Sequence, residues 1–504
     1  MVDVLLGIDI GTSGIKMAFF RPDGSVVASR RQKVSLYAPG PGLARQDPDE
    51  WWHLICQSLK EMVTADFLSM YRIRGIGAAG QGWSMIPVDA SGKVLCMNPI
   101  WMDTGAADIA AEYEAKIGKD KIFRLCGNPM DGAYTLPKVI KLRREEPVLF
   151  EKTAAVLSAN GFIAFRLTGV LSQDISQAYG YQCFDIRKGC WDQEMCRQFD
   201  LPMHVLPPIC SCDAIIGTVT AEAAAATGLP EGIPVAAGGL DAACGTLGAG
   251  VIADGETQEQ GGQAEGMSIC LSSCLAHPRL ILSCHVVPGK WLLQGGTVGG
   301  GGVTDWLLDA FCGREMADKG GKPYEDLDRL TESVAPGSEG VLFLPYMKGE
   351  RSPLWNKSAK GVFYGLDFTK TRAHMIRAGL EGVGYSLRHN LETAAEAGAE
   401  VSQLLAVGGS TASSVITQMK ADITGKRICV PGTAMETGLG AAILAGVGTG
   451  LYDSYEKARE MTLHLTRIYE PDPAKREVYN RGYKKYLRLY EELKDMMSEE
   501  ENEA

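Results

Sequence analysis

The first twenty residues narrow the fold more than any other stretch. Val4 to Ile10 is apolar apart from Gly7 and Asp9, the chain then passes through Gly11-Thr12-Ser13-Gly14, and Ile15 to Phe20 is apolar again. Two strand-length apolar runs joined by a short polar turn bounded by glycines predict a hairpin. Pro22-Asp23-Gly24 is a second turn, and Ser25 to Ser29 resumes as a strand, so the N-terminus reads as a β-meander. Asp47-Pro48-Asp49-Glu50 then opens a helix to about Thr64, with Asp47 as N-cap, Pro48 in the first turn and Glu50 completing a capping box. Arg74 to Ala79 is a short strand ending at Gly80-Gln81-Gly82, and residues 105–170 read mostly as helices.

Strands that run into glycine turns and then helices recur later, which predicts an α/β protein. Pro234 to Ala237 feeds Gly238-Gly239-Leu240-Asp241 and a helix of small residues to Gly250. Met267 to Leu271 is a strand after a glycine-rich turn. Gly295 to Gly302 enters a helix at about Thr304, Leu404 to Val407 runs into Gly408-Gly409-Ser410, and Gly438 to Gly448 is another small-residue helix. A chain of 504 residues exceeds one typical core. The boundary is placed at about 250, giving an N-terminal lobe over 1–250 and a C-terminal lobe over 251–504. The tail from Pro473 is helical and charged, with residues 498–504 expected to fray.

Net charge is −11 and the isoelectric point about 5.3, which argues against a nucleic-acid partner. No apolar run approaches the length of a membrane span, and Asp3 and Asp9 interrupt the start, so neither a membrane segment nor a signal peptide is expected. The 14 cysteines form no C-x-x-C pair and the seven histidines no H-E-x-x-H. They read as free thiols in a reducing, cytoplasmic compartment rather than as a zinc site.

Two segments could carry chemistry. In Asp9-Ile10-Gly11-Thr12-Ser13-Gly14-Ile15-Lys16 the glycines let backbone approach a phosphate, the amides and the Thr12 and Ser13 hydroxyls can donate to it, and Asp9 can hold Mg²⁺. A hairpin with polar turn residues explains the same letters equally well. Asp241, at a strand end before a helix, can take a proton from an attacking hydroxyl. On its own an N-cap is the simpler reading of that aspartate.

Longer patterns decide the matter. Gly349-Glu350-Arg351-Ser352-Pro353, then Lys360-Gly361-Val362-Phe363-Tyr364-Gly365-Leu366, then Ala378-Gly379-Leu380-Glu381-Gly382 resembles the signature of the FGGY carbohydrate kinases. The segment from Asp9 to Lys16 resembles the first phosphate loop shared by sugar kinases, actin and heat-shock chaperone ATPases, and no G-x-x-x-x-G-K-[ST] is present. Asn128-Pro129 with Leu136-Pro137-Lys138, Trp101-Met102-Asp103, Gly408-Gly409-Ser410 with Gln418 and Asp422, and Glu436 with Gly440-Ala441-Ala442 resemble further family segments in the right order. The overall pattern is most similar to the xylulose kinases.

The resemblance implies two ribonuclease-H-like lobes, as in actin, hexokinase and the chaperone ATPases, with a cleft between them that takes ATP, Mg²⁺ and a small sugar or polyol. It implies Asp241 as general base. Asp9, Gly11, Thr12, Ser13 and Lys16, with Gly262, Gln263 and Gly301, would serve the phosphates and metal. Gly408, Gly409 and Ser410 would support adenosine, and Gln81, Gly82, Trp83, Trp101, Asp103 and Asp241 would face the sugar. Relatives of this kind often dimerise, so a homodimer is one expected assembly.

Three departures stand out. Gly82-Trp83 follows Gln81 where xylulose kinases usually carry Met-His-Gly and glycerol kinases Arg-Glu. Gly105 stands where an arginine is usual, and Gln263 replaces the threonine of the second phosphate loop. A ketopentose such as D-xylulose is the first candidate substrate, beside other ketoses, sugar acids and polyols. A decayed kinase that senses sugar or nucleotide is one alternative, and an actin- or chaperone-like ATPase acting on proteins is another.

Overall fold

The structure is a computed structural model that describes residues 1–312, 323–433 and 435–503. The meander forms as expected. β1 (Val2–Ile10), β2 (Gly14–Phe20) and β3 (Val26–Lys33) pair antiparallel in sequence, with Asp9 opposite Lys16. β4 (Tyr71–Gly80) lies parallel to β1, β5 (Ile215–Thr218) and β6 (Pro234–Ala236) extend the sheet beyond it, and β7 (Gly239–Leu240) also pairs with β4. The order across this seven-stranded sheet is β5-β6-β4-β1-β2-β3.

The second sheet repeats the design. β8 (Glu256–Gly261), β9 (Glu265–Leu271), β10 (Ile281–Cys284) and β11 (Trp291–Thr297) make its antiparallel half. β12 (Gln403–Gly408) and β13 (Ile428–Pro431) continue parallel to β8, and β14 (Leu465–Tyr469) closes the edge. Its order is β10-β11-β9-β8-β12-β13-β14. Helices flank both sheets, so the architecture is two mixed α/β lobes, as the motifs led us to expect.

Helix α1 (Pro48–Met62) packs Trp51, Ile55 and Leu59 against the first sheet, and its N-cap Asp47 accepts from the Asp49 amide. Glu50 does not close a capping box. Its carboxylate instead takes the amide and hydroxyl of Ser35, because the chain after β3 passes within reach. Residues 107–168 are largely helical and end in α2 (Ala159–Thr168), which packs on β4. In the second lobe the glycine run enters its helix three residues earlier than expected, as α4 (Gly301–Leu307). The long α5 (Arg372–Glu396) and α6 (Ser414–Thr424) cover that sheet, and α8 (Arg476–Glu503) ends the chain. Helix α8 runs to Glu503, through the residues expected to fray; Ala504 lies outside the described residues.

The lobes meet at two helices of small residues, α3 (Asp241–Gly248) and α7 (Glu436–Gly448). They cross backbone to backbone: a β-carbon at Gly248 would overlap the Glu436 carbonyl, and one at Gly440 the Cys244 carbonyl. Although α7 lies between β13 and β14 of the second sheet in sequence, it packs on β1 and β4 of the first. One apolar cluster therefore runs from Leu5 and Phe20 through Leu247 and Ile443 to Ile269 and Leu405. Among the described residues no helix is long and apolar enough to cross a membrane.

Candidate active site

Strand register builds the site. Asp9 and Ile10 of β1 stand beside Ala79 and Gly80 of β4, which stand beside Gly239 and Leu240 of β7. Three parallel strands thus end together, and the residues next in sequence, Gly11-Thr12, Gln81-Gly82 and Asp241, emerge at one edge. Carboxyl ends of parallel strands are where α/β sheets bind ligands. In the second lobe Gly261 of β8 pairs with Gly408 of β12, which brings the turn at Gly262 and Gln263 beside Gly409 and Ser410.

A cavity of about 340 Å³ opens between the lobes. The first lobe lines it with Thr12, Gly82, Trp83, Trp101 and Asp241, and the second with Arg351, Ser352 and Trp355 among others. Trp83 (φ 59°) and Trp355 (φ 51°) both sit in the left-handed region that non-glycine residues avoid. Strain of this kind persists where surrounding structure over-determines it, commonly at ligand sites. Lys138 donates to the carbonyls of Ile100 (2.7 Å), Trp83 (3.1 Å) and Pro99 (3.4 Å), and so ties together the loops that carry both first-lobe tryptophans. Burial pushes that ammonium down to about 7.

Asp241 is the first residue of α3, and its Oδ1 accepts from the next amide, Ala242, at 2.7 Å. Leu240, not Asp241, holds the N-cap position, so the N-cap reading does not apply. Desolvation deep in the cleft, reinforced by the charge of Asp9, raises the Asp241 carboxyl from 3.8 to about 7, with the Ala242 amide and Lys16 opposing. A carboxylate poised near neutrality suits a general base. Asp9 is itself buried and pushed upward, chiefly by that burial, against the pull of Lys16 at 3.5 Å. Glu436, at the start of α7, shares the same field of Asp9 and Lys16.

Some residues serve as supports rather than walls. Gln81 is buried and stands outside the cavity lining; its Oε1 accepts from the Thr12 hydroxyl (3.1 Å) and its amide reaches Gln46 (2.6 Å). Thr12 also accepts from Trp101 Nε1 (2.8 Å), so its hydroxyl proton is committed inside the protein, whereas Ser13 is exposed. Asp103 is spent on the amides of Ala44 and Gly105, each at 3.0 Å, and lines a neighbouring cavity. Lys141 donates to the Gly105 carbonyl at 2.5 Å, with its Nζ 3.5 Å from where a β-carbon on residue 105 would stand. A cation therefore occupies the neighbourhood of the arginine missing from position 105.

The second phosphate turn is braced from behind. The amides of Gly301 and Gly302 at the start of α4 donate to the carbonyls of Gly262 (2.8 Å) and Gln263 (2.9 Å), and the Gln263 side chain is exposed over Gly302. Beneath it Lys420 of α6 bonds Glu259 at 2.9 Å, Glu265, and Ser410 at 3.3 Å, a buried charge cluster that joins the turn to the Gly408-Gly409-Ser410 loop. Sequence reasoning missed this cluster, and assigned no site role to Arg351, Ser352, Trp355 or Tyr179. It also missed Asp174, whose Oδ1 accepts from Ser176 Oγ (2.5 Å), which in turn accepts from the Leu240 amide (2.8 Å) just before Asp241. Arg351, Ser352 and Trp355 lie in or beside a quoted signature and could have been assigned; Tyr179, Asp174 and Lys420 left no local signal.

Comparison with known proteins places this arrangement. A model of the N-terminal domain of the FGGY family of carbohydrate kinases matches residues 4–248, and one of the C-terminal domain matches 276–449. The xylulose kinase of Bacillus subtilis is 29% identical over 98% of this chain and 97% of its own. The gluconokinase of Bacillus licheniformis is 28% identical over 99% and 97%. The crystal structure of xylulose kinase from Rhodospirillum rubrum superposes with a TM-score of 0.90 at 29% identity, covering 98% of this chain and all of that one.

Proposed function

Because this chain belongs to the FGGY family of carbohydrate kinases, we propose that it transfers the terminal phosphoryl group of ATP to a hydroxyl of a small sugar, with a ketopentose such as D-xylulose as the first substrate to try. The observation that carries this reading is Asp241, a carboxyl raised to about 7 that lines the same cavity as Trp83 and Trp101.

In the reaction, the substrate hydroxyl gives its proton to Asp241 as its oxygen forms a bond to the terminal phosphorus. The bond from that phosphorus to the bridging oxygen breaks, and ADP leaves. Trp83 and Trp101 cover the carbon face of the sugar, and closure of the lobes keeps water from competing as acceptor. The Asp9 carboxylate, buried beside a second carboxylate with one lysine near it, fits a magnesium ion, which commonly takes one or two protein carboxylates and completes its shell with waters and phosphates. Bound there, the ion would neutralise phosphate charge. We assign the phosphates to Ser13 and the Gly11–Gly14 turn of the first lobe, and the nucleotide to Gly262, Gln263, Gly408, Gly409 and Ser410 of the second, whose turns pair side by side.

The sensor alternative rested on Gly105 and Gln263. Lys141 keeps a cation beside residue 105, although it lines the neighbouring cavity rather than the cleft. A coupled ADP-release screen over pentuloses, hexuloses, sugar acids and polyols tests the reading. Turnover of at least one, abolished in Asp241→Asn, is expected; sugar binding without turnover of any would favour the sensor.

A further inference from the structure

The cleft cavity is chemically polarised. Asp241, on the first-lobe wall, seeks a hydroxyl proton. On the second-lobe wall Arg351 lies over Gly296, where a β-carbon would stand 3.2 Å from its Nη2, and no side-chain hydrogen bond or ion pair engages its guanidinium among the described residues. Its neighbours are already satisfied. Glu350 Oε2 accepts from Thr297 Oγ1 (2.5 Å), and Oε1 from the amides of Val298 (2.9 Å) and Arg351 (2.7 Å). Ser352 is pinned to Gly296, Gln294 bonds Ser268 and Ser283, and Trp355 Nε1 donates to the Arg279 carbonyl. Burial lowers the Arg351 pKa and Glu350 is the charge that opposes this, whereas Asp241 answers to Asp9 and Lys16. The two groups thus belong to separate fields on opposite walls of one cavity. Across from Arg351, Trp83 and Tyr179 line the first-lobe wall with their rings edge to face, centroids 6.3 Å apart.

The half-buried guanidinium lines an open cleft and has no acceptor among the described residues, so it is free to take the acceptor oxygens of a ligand. A guanidinium presents a planar fork that fits a carboxylate, or a carbonyl with its adjacent oxygen, far better than a lone hydroxymethyl group. Resting on the kinase reading above, we infer that Arg351 is a specificity-determining residue that binds a carbonyl or carboxylate at the end of an open-chain sugar remote from the hydroxyl facing Asp241. A substrate that carries such a group is therefore preferred over the plain polyol of the same carbon skeleton.

The test uses pairs that share a carbon skeleton and differ at that carbon: D-xylulose against xylitol, and D-gluconate against glucitol. Binding is read by tryptophan fluorescence without nucleotide, and kcat/KM by ADP release. The intact protein should favour the carbonyl or carboxylate member of at least one pair. Arg351→Met should cut that preference by about 10- to 100-fold, the range of a hydrogen bond to a charged group, while leaving the polyol nearly unchanged. Arg351→Lys, which keeps charge and loses the fork, should recover part of it. A structural defect would instead weaken both members of a pair alike, and that result, or equal binding of both by the intact protein, overturns the inference. Retained discrimination in binding without any turnover would uphold Arg351 and refute the kinase reading.

Discussion

Replacing Asp241 with asparagine should cost activity and add stability at the same time. The two side chains are nearly isosteric, so the cavity and its tryptophans keep their shape. What disappears is the proton acceptor, and general bases contribute about two to four decades in rate, or roughly 2.7–5.4 kcal/mol of barrier at about 1.36 kcal/mol per decade. Substrate affinity should stay within a few-fold. The stability effect follows from linkage. The folded carboxyl titrates at about 7 against an ordinary 3.8, so between these values the folded state binds more protons than the unfolded one and stability falls as pH rises. Asparagine carries no such cost, so the variant should melt higher than the parent above pH 7 and show little difference below pH 4. The parent's kcat/KM should rise with pH through about 7 as Asp241 loses its proton, and the variant's residual activity should lack that limb. Stopped assays of ADP across about pH 5–9, thermal melts extended down to about pH 3 and fluorescence binding of sugar together check the reasoning. Near-normal turnover in the variant, or a melting point that drops equally at every pH, would refute the assignment of Asp241.

Lys420→Met should remove the cation between Glu259 and Glu265 and destabilise the protein by about 3–5 kcal/mol, as expected for breaking a buried ion cluster; urea unfolding reads this, and the loss should grow with pH because Glu265 is already held above its ordinary range, chiefly by burial. Gln263→Thr should lower KM for ATP with kcat little changed, since a short hydroxyl replaces an amide lying over Gly302; an unchanged or higher KM would show that the backbone amides alone carry that turn. Saturating sugar should compact the protein in small-angle scattering, and an unchanged radius of gyration would count against lobe closure.

What could be read from the sequence was what is local. The hairpin at Asp9, the strand end at Asp241 and the loop at Gly408 each announce themselves within a dozen residues, because glycine and turn chemistry act at short range. The resemblance to a family supplied the order in which they meet. What could not be read depends on partners far apart in the chain. Thr12 is tied to Gln81 across 69 residues and to Trp101 across 89, and Lys420 to Glu265 across 155. Asp103 was expected to face the sugar, yet its carboxylate is taken by two backbone amides, one of them Ala44, 59 residues away in the chain. Glu50 met its match in Ser35 rather than in its own helix end for the same reason.

The crossing of α3 and α7 has a mechanical meaning. The helices close to backbone contact at Gly248 and Gly440, with only small groups such as Cys244 and Thr437 between them, so few interlocking side chains oppose a turn of one on the other. Asp241 stands at the start of one helix and Glu436 at the start of the other, so the aim of the proton acceptor depends on the joint where the two lobes meet. Any side chain introduced there would jam the joint and misdirect the acceptor together.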